Sequence, residues 1–398
     1  MRYLLLIAAV ILTASCHDWK NIEKDLQQRL ILAEDNSVIE IPEGYYKFSG
    51  SLSMEGKNGV TIKGAGKDKT FLSFDGQTEG AEGIKVNNST NIILEGFTVW
   101  DAKGDAIKVQ EVNGLVFREI RTEWTHGPRA SNGSYGFYPV NCDNVLIEHC
   151  EAIGASDAGI YVGQSRNVIV RNNLAYQNVA GIEIENTKWA DVYENEATDN
   201  TGGILVFDML GLAQTNGQYV RVYNNNIHHN NQRNFAPEGN IVATVPPGTG
   251  VLVLATCNVE IFNNKIHYNR TVGTGVISYL IVKKEIEDTL FDPYPKSIYI
   301  YGNDYKRAFG LPSIQNSMGQ LIAWKSWYSV PDIIYDGYID PSVAVGGKLP
   351  ADKGVCIRNN GKATFAMVDA ANDFKTINRD LNAYNCELAK LETVVLGK

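Results

Sequence analysis

Short runs in which apolar and polar residues alternate recur along the chain, each opened by a small residue: GIKV at Gly83, AIKV at Ala106, GFYP at Gly136, GIYV at Gly159, GIEI at Gly181, GILV at Gly203 and GVLV at Gly250. The steps between them are 23, 30, 23, 22, 22 and 47 residues. An alternation of two is the strand period, and a unit of about 22 residues is too short for most helical repeats. Each unit should therefore hold three short strands. A second run has its first apolar residue nine residues after the start, as in NIILEG, NVLIEHC, NVIVRNN and NVEIFNN.

Counting onward from Val170, Val192, Val222 and Ile261 reveals two asparagine columns at fixed phase, Asn173, Asn195, Asn225, Asn264 and Asn178, Asn200, Asn230, Asn269. Asparagines stacked at the corners of a coil can bond the backbone and one another, and they tolerate left-handed dihedrals, so both columns are expected to be structural ladders. The fold predicted is all-β, a right-handed parallel β-helix rising about 4.8 Å per coil. Ile22, Leu26, Leu30 and Ile31 recur at helical spacing between Asn21 and Glu34 and predict an amphipathic helix capping the open end. Val60 to Gly76 reads as an early irregular coil and Ser297 to Asn303 as a late one. The boundaries expected are a leader over 1–15, a linker and cap over 16–40, the β-helix over 41–310 and an irregular C-terminal cap over 311–398.

Within each first strand the residue between the two inward positions points out. The outward column runs Lys85, Lys108, Tyr138, Tyr161, Glu183, Leu205, Leu252, and the strand ends run Asn88, Glu111, Asn141, Gln164, Asn186, Asp208. Aromatic faces stack on sugar rings while polar neighbours bind hydroxyls, so Lys108, Tyr138, Asn141, Tyr161, Glu183, Glu185 and Asp208 form a candidate binding strip. The competing reading is a solvated sheet whose tyrosines stack for stability alone. Insertions at Arg121 to Tyr135, Met209 to Gln218 and Asn231 to Thr249, the last carrying Arg233 and Asn240, bracket this strip. Arg233 joins the candidates for that reason. Glu183, Glu185 and Asp208 could hold Ca2+, although no calcium-loop motif accompanies them, and a solvated acidic patch is the alternative. Asp191, Arg221 and Glu260 align on the second strand with alternating sign and predict a surface charge ladder.

Charge and composition narrow the classes. A net charge of −9 argues against a nucleic-acid partner, and 37 glycines against 12 prolines with 44% hydrophobic residues is a folded composition. Arg2, an apolar run from Leu4 to Leu12 and Thr13-Ala14-Ser15-Cys16 predict an export signal ending in a lipidated Cys16, with Thr13 departing from the usual leucine-like residue. Attachment to a membrane would then run through the lipid alone, on a periplasmic or cell-surface bacterial lipoprotein that is otherwise a monomer. Cys356 and Cys386, both outside the repeats, are the pair expected to form a disulfide, and Cys142 and Cys150 are expected as buried thiols.

The stretch from Tyr135 to Thr187 resembles mannuronan C5-epimerases and related β-helix lyases, whose catalytic line reads Tyr-Gly-Phe-Asp-Pro-His-Glu. This chain has YGFYPVN there, with Tyr138, Val140 and Asn141 at the matching acid and base positions. Valine cannot titrate and asparagine cannot accept a proton at neutral pH. From Gly136 to Gly250 ("GFYPVNCDNVLIEHC" through "PPGTG") the chain is also similar to secreted parallel β-helix proteins of unassigned function, often lipoproteins. That resemblance implies an exported protein partner, a c-type cytochrome-like protein. Two readings follow: a β-helix that binds a polysaccharide or a partner, or a uronate lyase or epimerase using Tyr138 with His126 and Arg129 from the inserted loop.

Overall fold

The computed structural model describes residues 18–282, 285–326 and 329–397. Cys16 and the leader expected over 1–15 lie outside the described residues. Three stacks of parallel strands wrap one core. The first is in register through Ile84, Ile107, Phe137, Ile160, Ile182, Ile204 and Val251, each the neighbour of the last. The second continues Leu94, Phe117, Ile147, Val170, Val192, Val222 and Ile261. Short strands make the third, an 11-stranded sheet whose inward column passes Thr122, Ala152, Ala175, Ala197 and Ile227. These inward residues are buried and, apart from Thr122, belong to a single apolar cluster along the axis. The molecule is a right-handed parallel β-helix.

The ladders explain the small residue at each start. Asn195 Nδ2 donates to Val170 O (2.9 Å) and to Asn225 Oδ1 (3.0 Å), while its Oδ1 accepts from the Asn173 amide (3.1 Å) and Asn173 Nδ2 (2.9 Å). The same bonding runs on through Asn264, Asn303 and Asn360, and in the second ladder through Asn178, Asn200, Asn230 and Asn269. A Cβ on Gly159 would lie 2.7 Å from Asn178 Nδ2, and one on Gly181 2.8 Å from Asn200 Nδ2. At these two starts glycine is required because the carboxamides fill that volume. Left-handed dihedrals fall one residue before each ladder position, on Asn172, Glu194, Asn224 and Asn263, and not on the ladder asparagines as the sequence suggested. Cys150 stands at the ladder position one coil earlier, its amide donating to Asn173 Oδ1 (2.9 Å), which accounts for its burial. Asn195→Ala removes two donated and two accepted side-chain bonds at once. It should lower unfolding free energy by roughly 1–3 kcal/mol in urea titration.

Glu23–Ile31 forms the N-terminal helix, shorter than expected, with Leu26 and Leu30 seated on the open end of the core. Glu23 also caps the incoming strand, accepting from the Ser49 and Gly50 amides at 3.1 and 2.7 Å. Coiling passes the boundary expected at 310: Ile333–Tyr335 and Phe365–Met367 extend the first stack, and Val355–Arg358 the second. The repeat faded in the sequence because a long excursion holding the helix Ser317–Ser326 separates these strands from their predecessors. Cys356 and Cys386 are disulfide-bonded, tying the last coil to the closing segment in which Leu381 and Tyr384 pack on the core.

Candidate functional site

The outward column of the first stack lies in register as read from the sequence, Lys85 beside Lys108, Lys108 beside Tyr138, Tyr161 beside Glu183, then Leu205 and Leu252. Its exposure differs from the expectation. Excursions after the first strands of later coils, and before the next ones, fold back over the face. Val242, Val245, Tyr279 and Phe291 bury Leu205, Phe207, Leu252 and Leu254 in a second apolar cluster, with Met209, Phe235 and Met318 at its margin. Asn186 pins the roof, its Nδ2 donating to Met209 O and Gln214 O (both 2.8 Å) and its Oδ1 accepting from the Met209 amide (2.7 Å). The face is thus closed from Glu183 onward and open around Lys85, Lys108 and Tyr138.

At the boundary between the closed and open parts sits a cluster of three tyrosines and four carboxyls. Tyr135 and Tyr138 ring centroids are 4.6 Å apart, Tyr135 and Tyr161 4.4 Å, and Tyr138 meets Tyr161 edge-on at 5.0 Å. Lys108 Nζ lies 4.9 Å from the Tyr138 ring centre. Tyr161 donates from its hydroxyl to Glu185 Oε1 (2.7 Å), a reach that the bare Gly163 permits, since a Cβ there would be 2.4 Å from the Tyr161 ring. Asp157 Oδ2 accepts from the Tyr135 hydroxyl (3.5 Å) and from Asn240 Nδ2 (3.3 Å) of the roof.

Burial dominates the electrostatics. It pushes the Asp157 carboxyl up to about 7, with the Glu185 charge adding to the rise and the Tyr135 and Asn240 bonds opposing it. Glu183 is raised well above the usual carboxylate range by burial, then by Asp157 and Glu185, and Glu185 is raised by burial against its Tyr161 bond. Asp105, at the open edge, reaches about 6 through burial with Lys108 opposing. The Tyr138 phenol is pushed up to about 12, chiefly by burial. It stays protonated at neutral pH.

Several expectations are corrected. Glu183, Glu185 and Asp208 are not a solvated patch, since Glu183 and Asp208 are each 1% exposed under the roof. Among the described residues no three His, Cys, Asp or Glu side chains converge as metal ligands, so Ca2+ at those three has no geometric support. His126 and Arg129 do not join Tyr138. His126 is turned outward with Nδ1 3.7 Å from Asp101 Oδ1, and Arg129 Nη2 bonds the His126 carbonyl at 2.6 Å. Asn141 takes its left-handed φ of 53° in a corner column with Asn88, Glu111, Gln164 and Asn186, a backbone demand sufficient to explain it. Arg233 is exposed on the roof loop and makes no hydrogen bond to the cluster. Asp191, Arg221 and Glu260 are buried, covered by the C-terminal segment that reaches Arg221 through Thr393 and Leu391.

Asp105, Tyr135 and Asp157 were not among the candidate residues, and Asn240 was named only as part of a bracketing insertion. Asp105 and Tyr135 stand one residue before their repeat starts and Asp157 two before, so extending the alignment backward would have exposed them. Asn240 had no such signal, because it comes from an aperiodic insertion.

Residues 50–209 match the family described as "Right handed beta helix region". No curated protein matches the chain in sequence. Among solved structures, the A-module of the Azotobacter vinelandii mannuronan C-5 epimerase AlgE4 superposes with a TM-score of 0.51 at 14% identity, over 81% of this chain and 89% of that one. The AlgE6 A-module from the same organism gives 0.47 at 15% identity over 79% and 84%. The catalytic unit of a GH87 alpha-1,3-glucanase from Streptomyces thermodiastaticus strain HF3-3 gives 0.48 at 15% identity, over 80% of this chain and 48% of that one. The likeness is one of fold, and it agrees with the strand stacking: this chain is a right-handed parallel β-helix with a roofed first sheet.

Proposed function

We propose that the chain is an exported, lipid-anchored protein that binds a polysaccharide on the open part of its first sheet, around Lys108 and Tyr138, where it meets Glu185 and the buried Tyr161. The observation that carries this reading is the half-exposed Tyr138 ring, standing between Lys108 and the buried Tyr161 at the mouth of the roof. A ring held in place by its neighbours yet partly exposed offers rigid apolar surface at little entropic cost, and the neighbouring carboxyls and Lys108 suit hydroxyl groups. The apolar run ending at Cys16 supports export and lipid attachment. Uronate epimerisation is disfavoured by Val140 and Asn141 at the proton-transfer positions, by a Tyr138 phenol that stays protonated, and by the separation of His126 and Arg129 from it.

Binding is tested by affinity electrophoresis and calorimetry on neutral and acidic polysaccharides. Tyr138→Ala should weaken the strongest ligand by about 1–2 kcal/mol, roughly 5- to 30-fold, with the thermal transition unchanged. A ligand bound equally well by the variant would place the binding surface elsewhere.

A further inference from the structure

Four carboxyl groups and three phenols meet on adjacent coils of the roofed face, and the glycan-binding reading gives them no chemical task. Two of the carboxyls are held in fixed positions, Glu185 by the Tyr161 hydroxyl and Asp157 by Tyr135 and Asn240. Glu183, two residues before Glu185 on the same strand, is 1% exposed, and its Oε2 has no hydrogen-bond partner. A buried carboxyl oxygen left unpaired costs free energy unless it carries a proton or meets a donor brought from outside. Three acids in one enclosure also cannot all ionise, so their proton affinities are forced apart, the arrangement that lets one carboxyl give a proton while a neighbour takes one.

We propose that this face hydrolyses a glycosidic bond in a neutral glycan, with Asp157 donating the proton to the leaving oxygen and Glu185 accepting one from the attacking water. The proposal rests on the glycan-binding reading and extends it from binding to turnover. The step balances with water alone: the bond between the anomeric carbon and the bridging oxygen breaks, the Asp157 proton goes to that oxygen, the water oxygen bonds the carbon, and its proton goes to Glu185. Solvent exchange then returns a proton from Glu185 to Asp157. Burial and the neighbouring Glu185 and Asp105 charges favour the protonated form of Asp157, and burial with Asp157 and Glu185 beside it keeps Glu183 protonated. Tyr161 and Asn240 are positioning residues, each fixing one carboxyl.

Neutral substrate follows from the charges that face the site. Asp105, Asp157, Glu183 and Glu185 surround it, and the cations of the same outward column are Lys85 and Lys108. A uronate polymer would bring further negative charge into this enclosure. Neutral pyranoses meet the tyrosine faces and offer hydroxyl donors to the carboxyls.

Wild type, Asp157→Asn, Glu185→Gln and Tyr161→Phe are compared on a panel of neutral glucans, mannan and xylan, with alginate and pectate as acidic controls. Release of reducing ends is measured alongside affinity electrophoresis on the same polymers. The expected result is release from a neutral polymer by wild type, a loss of at least about 100-fold in each carboxyl variant, and binding of that polymer still detectable in each. Tyr161→Phe removes only a hydroxyl and should keep the fold. Loss of its bond to Glu185 should move the acidic limb of the pH profile upward. Three results overturn the proposal: a neutral glycan bound without release of reducing ends, turnover that survives both carboxyl variants, or unsaturated uronate or C5 proton exchange in place of hydrolysis. The first of these leaves the binding reading standing. Binding of no polysaccharide removes both.

Discussion

Arg221→Met should lower the unfolding free energy by about 3–5 kcal/mol, the loss expected when one partner of a buried ion pair is removed and the other remains. Arg221 grips Asp191 through two bonds, Nε to Oδ1 at 2.8 Å and Nη2 to Oδ2 at 2.9 Å, and its guanidinium lies 4.9 Å from the Tyr223 ring centre. In register beyond it stands Glu260, 2% exposed. Without the arginine, Asp191 and Glu260 would face each other across one coil with no cation between them. The C-terminal strap would loosen too, because Arg221 Nη1 donates to Thr393 Oγ1 (3.1 Å) and Asp191 Oδ2 accepts from the Val394 amide (3.2 Å). Urea titration reads the first effect, and protease cleavage after Lys390 reads the second. Arg221→Met with Asp191→Leu and Glu260→Leu should recover most of the loss, since replacing a whole buried ionic group with apolar residues is often neutral. A cost below about 1 kcal/mol for the single variant would mean that the ladder is solvated and the strap open.

That ladder shows where sequence reading stopped. Alternation along a strand reveals which side chains leave the core, and it placed Asp191, Arg221 and Glu260 correctly in one column. It carries no information on what covers them. The cover comes from Leu391 to Val394, a segment some 170 residues from Arg221 with no period of its own. The first sheet repeats the lesson with one difference. Its outward column changes from Lys85, Lys108 and Tyr138 to Leu205 and Leu252, and apolar residues at consecutive outward positions signal a lid. Read that way, the closure of the later coils was legible, and with it the burial of Glu183 and Asp208. The ladders were the most legible element, because each Asn bonds the next coil at one phase and any slip would unpair buried amides. Tyr135, Asp157 and Asn240 were not, since the first two precede the repeat starts and the third belongs to an insertion whose geometry only tertiary packing determines.

Stability should fall as pH rises from about 5 to 8, opposite to the usual behaviour of carboxylates in folded proteins. Burial pushes Asp157, Asp208 and Asp336 each up to about 7, whereas an unfolded aspartate releases its proton near 3.9. Between these values the folded chain binds more protons than the unfolded one. The contribution of each group is therefore fully present below about pH 4 and is lost as pH climbs through 7. Glu148 and Glu151 work in the other direction, their Arg118, Arg171, Arg121 and Lys67 partners outweighing burial, so the stability they add is present above the unfolded glutamate value of about 4.3, is lost as pH falls below it, and leaves the upper window to the aspartates. Asp208 is the best single test because neither of its oxygens has a hydrogen-bond partner at ordinary geometry, and the nearby Gly217 and Asn216 amides oppose the rise only in part. The rise from about 3.9 to about 7 corresponds to at most about 4 kcal/mol, and water entering beneath the roof would reduce it. Asp208→Asn removes the ionisation and keeps the shape. Its thermal midpoint should match wild type near pH 4 and exceed it at pH 8 by the equivalent of roughly 1–3 kcal/mol. A variant less stable than wild type by the same margin at both values would mean that Asp208 is ionised and paired in the folded chain, and that the roof over Phe207 and Leu254 admits solvent.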